Sequence, residues 1–280
     1  MVAGSLGRTR ALMSVRFTVV ALGALVMMLP FLYMLITSFK PDAIVLQITP
    51  ILPHPWTVKN YTDAWSSDEF GRYFLNSLIV AVATTFLAVW LSSMMAYSFA
   101  RFQYRGRALL FGLLLLGLIV PTMMLLIPQF LLARQLQMLN SLWGLVFFYT
   151  GGNLALNTFL LRSFFADIPR ELEEAMVVDG ASPWSRYLRL ILPLSRPGLA
   201  TVAIFTFLAS WDEYIWALTV INNPSRRTLP IGIALFQGQH ETSWGLVFAA
   251  SAIAIGPVLA LFALFQKQFI GNLAAGALKA

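Results

Sequence analysis

The sequence contains no cysteine, which excludes disulfides and thiolate metal sites. Histidine is almost as scarce. His54 and His240 are far apart, and neither has a metal-spaced partner, so no metal centre is expected. No G-x-x-x-x-G-K-[ST] segment occurs, so the chain does not bind ATP through a phosphate loop. No catalytic residue is assigned. No internal repeat or low-complexity segment stands out. Charge is thin, at 11% of residues against 59% hydrophobic. Nothing alternates as barrel strands would, and open strands cannot cross lipid.

What the chain does have is long uncharged runs. None of Asp, Glu, Lys or Arg falls between Arg16 and Lys40, Arg72 and Arg101, Arg107 and Arg134, Arg134 and Arg162, or Glu241 and Lys267. A span needs about 20 apolar residues to cross roughly 30 Å of hydrocarbon. Spans are therefore expected near 17–37, 74–99, 109–130, 142–161, 199–220 and 245–266. The reading is an all-α integral membrane protein with six transmembrane helices. Arg8, Arg10 and Arg16 form a basic front to the first run. That run is longer than a signal core and no small-x-small site follows it, so it reads as an uncleaved span.

Orientation follows from the basic residues. With a cytoplasmic N-terminus, thirteen Lys and Arg fall inside and six outside, which accounts for all nineteen. Both termini are then cytoplasmic, as is the connection 162–198. The net charge of +7 reflects this bias and needs no nucleic acid partner. Residues 1–16 read as a cytoplasmic tail, 17–271 as one transmembrane domain and 272–280 as a second cytoplasmic tail.

Several spans carry interruptions. Pro121 and Pro128 break the third, Pro257 the sixth, and Gly151-Gly152 with Asn153 and Asn157 soften the fourth. Such breaks are either packing kinks or the edges of a gated path. Asp212 and Glu213 lie inside the fifth span, within Trp211-Asp212-Glu213-Tyr214. A central carboxylate costs about 2.5–3.5 kcal/mol on insertion scales, so each should face a partner or water. On a continuous helix adjacent positions point about 100° apart, so the two cannot closely share one cavity. A structural contact and a place along a solute path both remain open. The aromatic outer loops 38–73 and 221–244 fit either an interfacial belt or a docking surface.

The densest signal is the cassette from Ile168 to Pro193. Asp167 is a candidate N-cap with Pro169 in the first turn. Glu171, Glu173 and Glu174 sit near the positive helix end. Gly180 ends this helix, where a left-handed residue is cheap. Ser182-Pro183 opens a second helix. Trp184, Tyr187, Leu188 and Ile191 form an apolar stripe, and Arg186 and Arg189 share another face. The product is helix, glycine turn, helix: an interfacial hairpin or a plug for another protein.

Glu174-Ala175-Met176, three residues, Gly180, nine residues, Leu190 and then Leu192-Pro193 resembles the signature loop of binding-protein-dependent ABC importer permeases. Met176 and Leu190 replace the usual alanine and isoleucine. Asn76-Ser77-Leu78, the run from Ala96 to Phe102, Ile127-Pro128, Trp211-Asp212-Glu213-Tyr214 and the tail Ala274 to Lys279 are similar to the maltose-type second permease of sugar importers. That family usually has Asn in place of Asp212.

The resemblance implies a type I ABC importer permease fold in a bacterial cell membrane. It implies a second homologous permease, a dimer of ATPase subunits that holds ATP and Mg, and an extracytoplasmic solute-binding protein. Coupling helices within 167–195 would seat in the ATPase through Glu174, Ala175, Asp179, Gly180, Leu192 and Pro193. The tail would reach the ATPases through Gly276, Ala277 and Lys279. Trp211, Asp212, Glu213 and Tyr214 become candidates for the translocation path or an inter-subunit contact. The solute is expected to be a sugar or sugar-like. Polyols, glycerol phosphodiesters or another small polar solute are the alternative, and a self-sufficient secondary transporter fits less well.

The charge bias yields a topological test. A reporter fused after Lys279 should behave as cytoplasmic, and one fused near Asn222 as external. An external C-terminus would overturn the six-span orientation.

Overall fold

The computed structural model describes residues 3–46, 51–67, 69–238 and 242–277. Among the described residues the main helices are, in chain order, α1 (Ala3–Ser38), α2 (Lys59–Ser66), α3 (Phe70–Arg101), α4 (Arg107–Ile119), α5 (Leu126–Gln135) and α6 (Leu142–Ala166). They continue with α7 (Arg170–Val178), α8 (Pro183–Leu194), α9 (Arg196–Trp211), α10 (Ile215–Val220), α11 (Leu229–Leu235) and α12 (Trp244–Ala277). Among the described residues, four helices are long and apolar enough to cross a membrane, or up to six elements if each of two bent pairs is one span. The six spans expected from the uncharged runs are the upper end of this range.

The chain divides into two compact units, residues 1–67 with 233–253, and residues 68–232 with 254–280. In the first unit, α1 exposes its apolar side chains from Val15 to Tyr33, as a lipid-facing helix would. Just past its end, Asn60 donates to the carbonyls of Ser38 and Lys40, both at 2.8 Å. Ser38 shares a 2.6 Å hydrogen bond with Tyr61. The Phe39 ring lies against Trp56 and Tyr61.

The second unit is organised on α3, which packs mainly against α6 and α9. Ala81, Thr84, Ala88, Ser92 and Ala96 are all fully buried. Their spacing of three or four puts them on one stripe, and small side chains let helix backbones approach closely where lipid offers no hydrophobic drive. Val82, Phe86 and Trp90 are exposed on other faces. Between α6 and α9, buried Asn157 donates to Thr206 Oγ1 at 2.8 Å. Gly198 sits against the ring of Phe164, so close that an added Cβ would stand 2.6 Å from Cγ.

Three expectations about breaks are corrected. The third span bends by 96° between α4 and the helical segment Thr122–Gln135. The bend falls at Pro121, whose residue before it, Val120, is extended, as a pre-proline residue prefers. Pro128, in contrast, lies in the first turn of α5, where a missing N–H costs little. Pro257 and Gly151-Gly152 lie inside α12 and α6, which run on as helix through them. The fifth span is not continuous: helix stops at Trp211 and resumes at Ile215. Asp212 and Glu213 therefore do not occupy successive positions of one helix.

Overpacking gives a stability test. Gly198→Ala forces the Phe164 ring aside and should cost about 1–3 kcal/mol. The expected readout is a lower thermal midpoint of the detergent-solubilised protein. An unchanged midpoint would show that the α6–α9 contact has room for a Cβ at Gly198.

Candidate functional site

The cassette folds as a tight helical hairpin, α7 and α8. Asp167 does not cap α7, as the sequence suggested; it closes α6, and α7 begins at Arg170 behind Pro169. Proline fixes its own φ and disfavours helix at the residue before it, which moves the start downstream. The turn is as expected. Gly180 has φ +78°, its N–H donates to Val177 O at 2.9 Å, and Ala181 N–H donates to Met176 O at 2.8 Å. These two bonds make a Schellman cap, which needs a left-handed residue. Ser182 Oγ then caps α8 by accepting from Ser185 N–H at 3.2 Å, with Pro183 in the first turn.

Within α8, Tyr187–Ile191 forms a π-helical turn, with Leu192 N–H donating to Tyr187 O. Pro193 supplies the reason: its ring clashes with the carbonyl four residues back and it has no N–H to offer. The chain turns by 79° between α8 and α9.

The anchoring of this hairpin centres on a residue the sequence reading did not single out. Glu173 is buried, and Oε1 lies 2.7 Å from Arg101 Nε. Arg186, on α8, approaches Oε2 at 3.8 Å. Arg101 also donates through Nη2 to the carbonyls of Phe165 and Ile168, both at 2.6 Å. One guanidinium thus ties the end of α3 to the end of α6 and to α7. Breaking such a buried pair by removing one partner costs about 3–5 kcal/mol. Nothing in the run Glu171, Glu173, Glu174 distinguishes the buried member. Arg101, alone at the end of a long uncharged run, was the available hint.

The second helix is seated on α3 as well. Tyr187 is buried and its hydroxyl shares a 2.6 Å bond with Ser93 Oγ. Tyr97 packs against the Tyr187 ring at 5.3 Å and donates to Pro183 O at 3.4 Å. Ile191 is fully buried, whereas Trp184 and Leu188 remain exposed, so the expected apolar stripe is only half covered. The other side of the hairpin faces outward. Glu174, Ala175, Asp179, Gly180 and Pro193 are exposed, and Leu192 is half-buried. Val177 and Val178 stand beside them at 51% and 87% exposure.

The break after α9 is a second polar centre. Glu213 folds back to cap α10: Oε1 accepts from Trp216 N–H at 2.7 Å and Oε2 from Ala217 N–H at 3.0 Å. The Tyr149 hydroxyl, from α6, donates to the same carboxylate. A carboxylate at a helix N-terminus meets free N–H groups and the positive end of the dipole. Trp211 is buried, stacked on Phe207, and its Nε1 donates to Ala254 O at 3.2 Å. Asp212 and Tyr214 are exposed. The four residues thus divide into two that hold the chain together and two that look outward. Gly276 and Ala277 fall on the α12 backbone. Lys279 and His240 lie outside the described residues.

This geometry can be set beside known proteins. The family model for the binding-protein-dependent transport system inner membrane component matches residues 88–271. The chain is 38% identical to the sulfoquinovosyl glycerol transport system permease protein SmoH of Agrobacterium fabrum, over 89% of this chain and 88% of that one. It is 37% identical to the trehalose/maltose transport system permease protein MalG of Thermococcus litoralis, over 91% and 93%. It is 32% identical to the diacetylchitobiose uptake system permease protein NgcG of Streptomyces coelicolor, over 95% and 89%. Its fold resembles that of a crystallised bacterial ABC transporter involved in alginate import, with a TM-score of 0.79 at 22% identity, covering 92% of this chain and 96% of the other. The chain belongs to the binding-protein-dependent transport system inner membrane components, a family of multi-pass membrane permeases.

Gly180 offers a clean test of the hairpin tip. An added Cβ meets nothing within 4 Å, so a substitution there acts only through the backbone. Gly180→Val should cost about 1–2 kcal/mol in the turn, leave membrane insertion intact and raise protease sensitivity at the tip. Unchanged cleavage of the tip would show that the turn tolerates a β-branched residue.

Proposed function

We propose that this chain is one permease subunit of an ATP-driven importer that moves a sugar or sugar-like solute into the cell. The observation that carries the reading is the two-sided hairpin. One side is pinned to the chain's own helices through Glu173, Tyr187 and Ile191. The other presents Glu174, Ala175, Asp179, Val177 and Val178 to the outside. A rigidly held, outward-facing tip with mixed acidic and apolar character suits a cleft in a soluble protein.

The partner at this tip is an ATPase dimer, which supplies the ATP and Mg chemistry that this chain lacks. A second, homologous permease completes the membrane part, and a solute-binding protein delivers from the outer side. The excess of basic residues on the hairpin's side supports a cytoplasmic location for it. Leu192 and Pro193, at the base, shape the turn into α9, and the tail from Gly276 to Lys279 is a second candidate contact. The names of SmoH, MalG and NgcG support a carbohydrate solute. SmoH extends the range to a glycosyl glycerol, which keeps polyol-like solutes within it. Asp212 and Tyr214 are the residues of the α9–α10 break free to face solute or the second permease.

Glu174 tests the docking. As a lone surface charge it would be nearly silent. Seated against a basic group in a cleft, its loss leaves a buried, unpaired charge, a change worth about 2–5 kcal/mol. Glu174→Ala should weaken retention of the ATPase during purification and abolish uptake. Arg170→Ala should do less. Normal co-purification and normal uptake with Glu174→Ala would overturn the role given to this residue.

A further inference from the structure

Building on that function, we propose that α3 is the rod that carries the ATPase-driven movement of the hairpin to the opposite end of the unit, with Ser93, Tyr97 and Arg101 as its positioning residues. Trp90, Ser93, Tyr97 and Arg101 follow one another at intervals of three or four and so share one face. Each meets the hairpin region. Trp90 packs edge-on to Trp184, Ser93 bonds Tyr187, Tyr97 reaches Pro183 O, and Arg101 pairs with Glu173.

The covalent connections of the hairpin are poorly suited to carry a push. Toward α6 it runs through Asp167, Ile168 and Pro169, outside any helix. Toward α9 it runs through Ser195, where the axis turns by 79°. A bend converts an axial displacement into rotation at the joint. The face of α3 has no such joint: it grips both α7 and α8, and the buried ion pair resists sliding because separation leaves charge unpaired.

α3 is 32 residues without a break, about 48 Å at 1.5 Å per residue. Its far end is fastened in turn. Asn76 donates to the carbonyls of Ser225 at 3.0 Å and Arg227 at 2.9 Å. Ser77 Oγ accepts from Leu229 N–H at 2.8 Å. The loop from Asn222 to Thr228 is therefore attached to the same rod as the hairpin, at its opposite end. In the proposed orientation this loop is on the outer side, where a solute-binding protein docks. The coupling runs in both directions, as linkage requires: a protein that holds the loop in one state biases the hairpin.

The absence of cysteine makes the test direct. Leu75, on α3 beside Asn76, is 53% exposed. Leu75→Cys, in the otherwise unaltered chain, is labelled with an environment-sensitive fluorophore in a complex with cysteine-free partner subunits. The signal is followed on adding Mg-ATP with vanadate. The unaltered hairpin should give a nucleotide-dependent change. Adding Glu173→Gln should reduce that change by about threefold or more, while the ATPase stays bound and keeps hydrolysing ATP. A full-sized change with Glu173→Gln overturns the rod. If Glu173→Gln releases the ATPase, Ser93→Ala and Tyr187→Phe decide. Each removes only one hydroxyl of the second tether, and a full change in both overturns the proposal. If the chain with an intact hairpin retains no ATPase, the proposed function fails, and this inference falls with it.

Discussion

The guanidinium of Arg101 is the constraint on which the arrangement of helix ends depends. It closes α3 at the point where α6 has just run out of helix. The carbonyls of Phe165 and Ile168 there take its Nη2 hydrogens, and Nε faces Glu173. Its side chain is only 6% exposed. A buried cation is tolerable only when paired and hydrogen-bonded. The planar fork of arginine meets a carboxylate and two carbonyls at once, which a lysine ammonium on a flexible stem would do less well. Arg186 adds a second cation near the same carboxylate. The excess positive charge lies at the end of α6, where the helix dipole is negative.

A second carboxylate, Glu213, solves a related problem at a different place. Interrupting a helix inside a membrane leaves N–H groups with no water to satisfy them. Glu213 supplies two acceptors for the first turn of α10 and accepts a hydrogen bond from the Tyr149 hydroxyl as well. The break at Asp212 is thus supported by chemistry from its own neighbour. This explains why a costly residue stands in an apolar run. It also separates the roles of two adjacent acids: Glu213 is consumed by the backbone, and Asp212 is left exposed.

Much of this was legible in the residues because it follows from local chemistry. Runs without charge located the spans, since a helix of that length on the surface of a soluble domain carries a polar face. Gly180 and Ser182-Pro183 announced their turn and cap, because left-handed backbone and a free N–H each ask for particular residues. What was not legible depended on partners distant in sequence. Glu173 looks like Glu171 and Glu174 until Arg101 is placed beside it. Glu213 reads as a misplaced charge until α10 is seen to begin behind it. Proline was ambiguous for the same reason. Pro121 bends its span by standing between helices, while Pro128 sits harmlessly in a first turn. Asp167 satisfied the rule for a cap but was already spent ending α6.

The exposed apolar surface is of two kinds, and the difference bears on what covers each. Along α1 and the outer faces of α3 and α4, exposed side chains such as Leu25, Met27, Phe86 and Leu116 come without charge nearby in sequence. Hydrocarbon covers such a surface without cost. At the hairpin tip, Val178 and Glu174 are four residues apart on α7 and so share a face, with Asp179 next in the chain. Lipid cannot cover that face, because burying Glu174 unpaired in hydrocarbon costs several kcal/mol. Water covers the acids but leaves Val177 and Val178 wet. A protein cleft with apolar walls and a basic group satisfies both halves at once. The tip is held too firmly, through Glu173 and Tyr187, to hide its valines by refolding. The same pinning that makes the hairpin a lever therefore obliges it to find a partner.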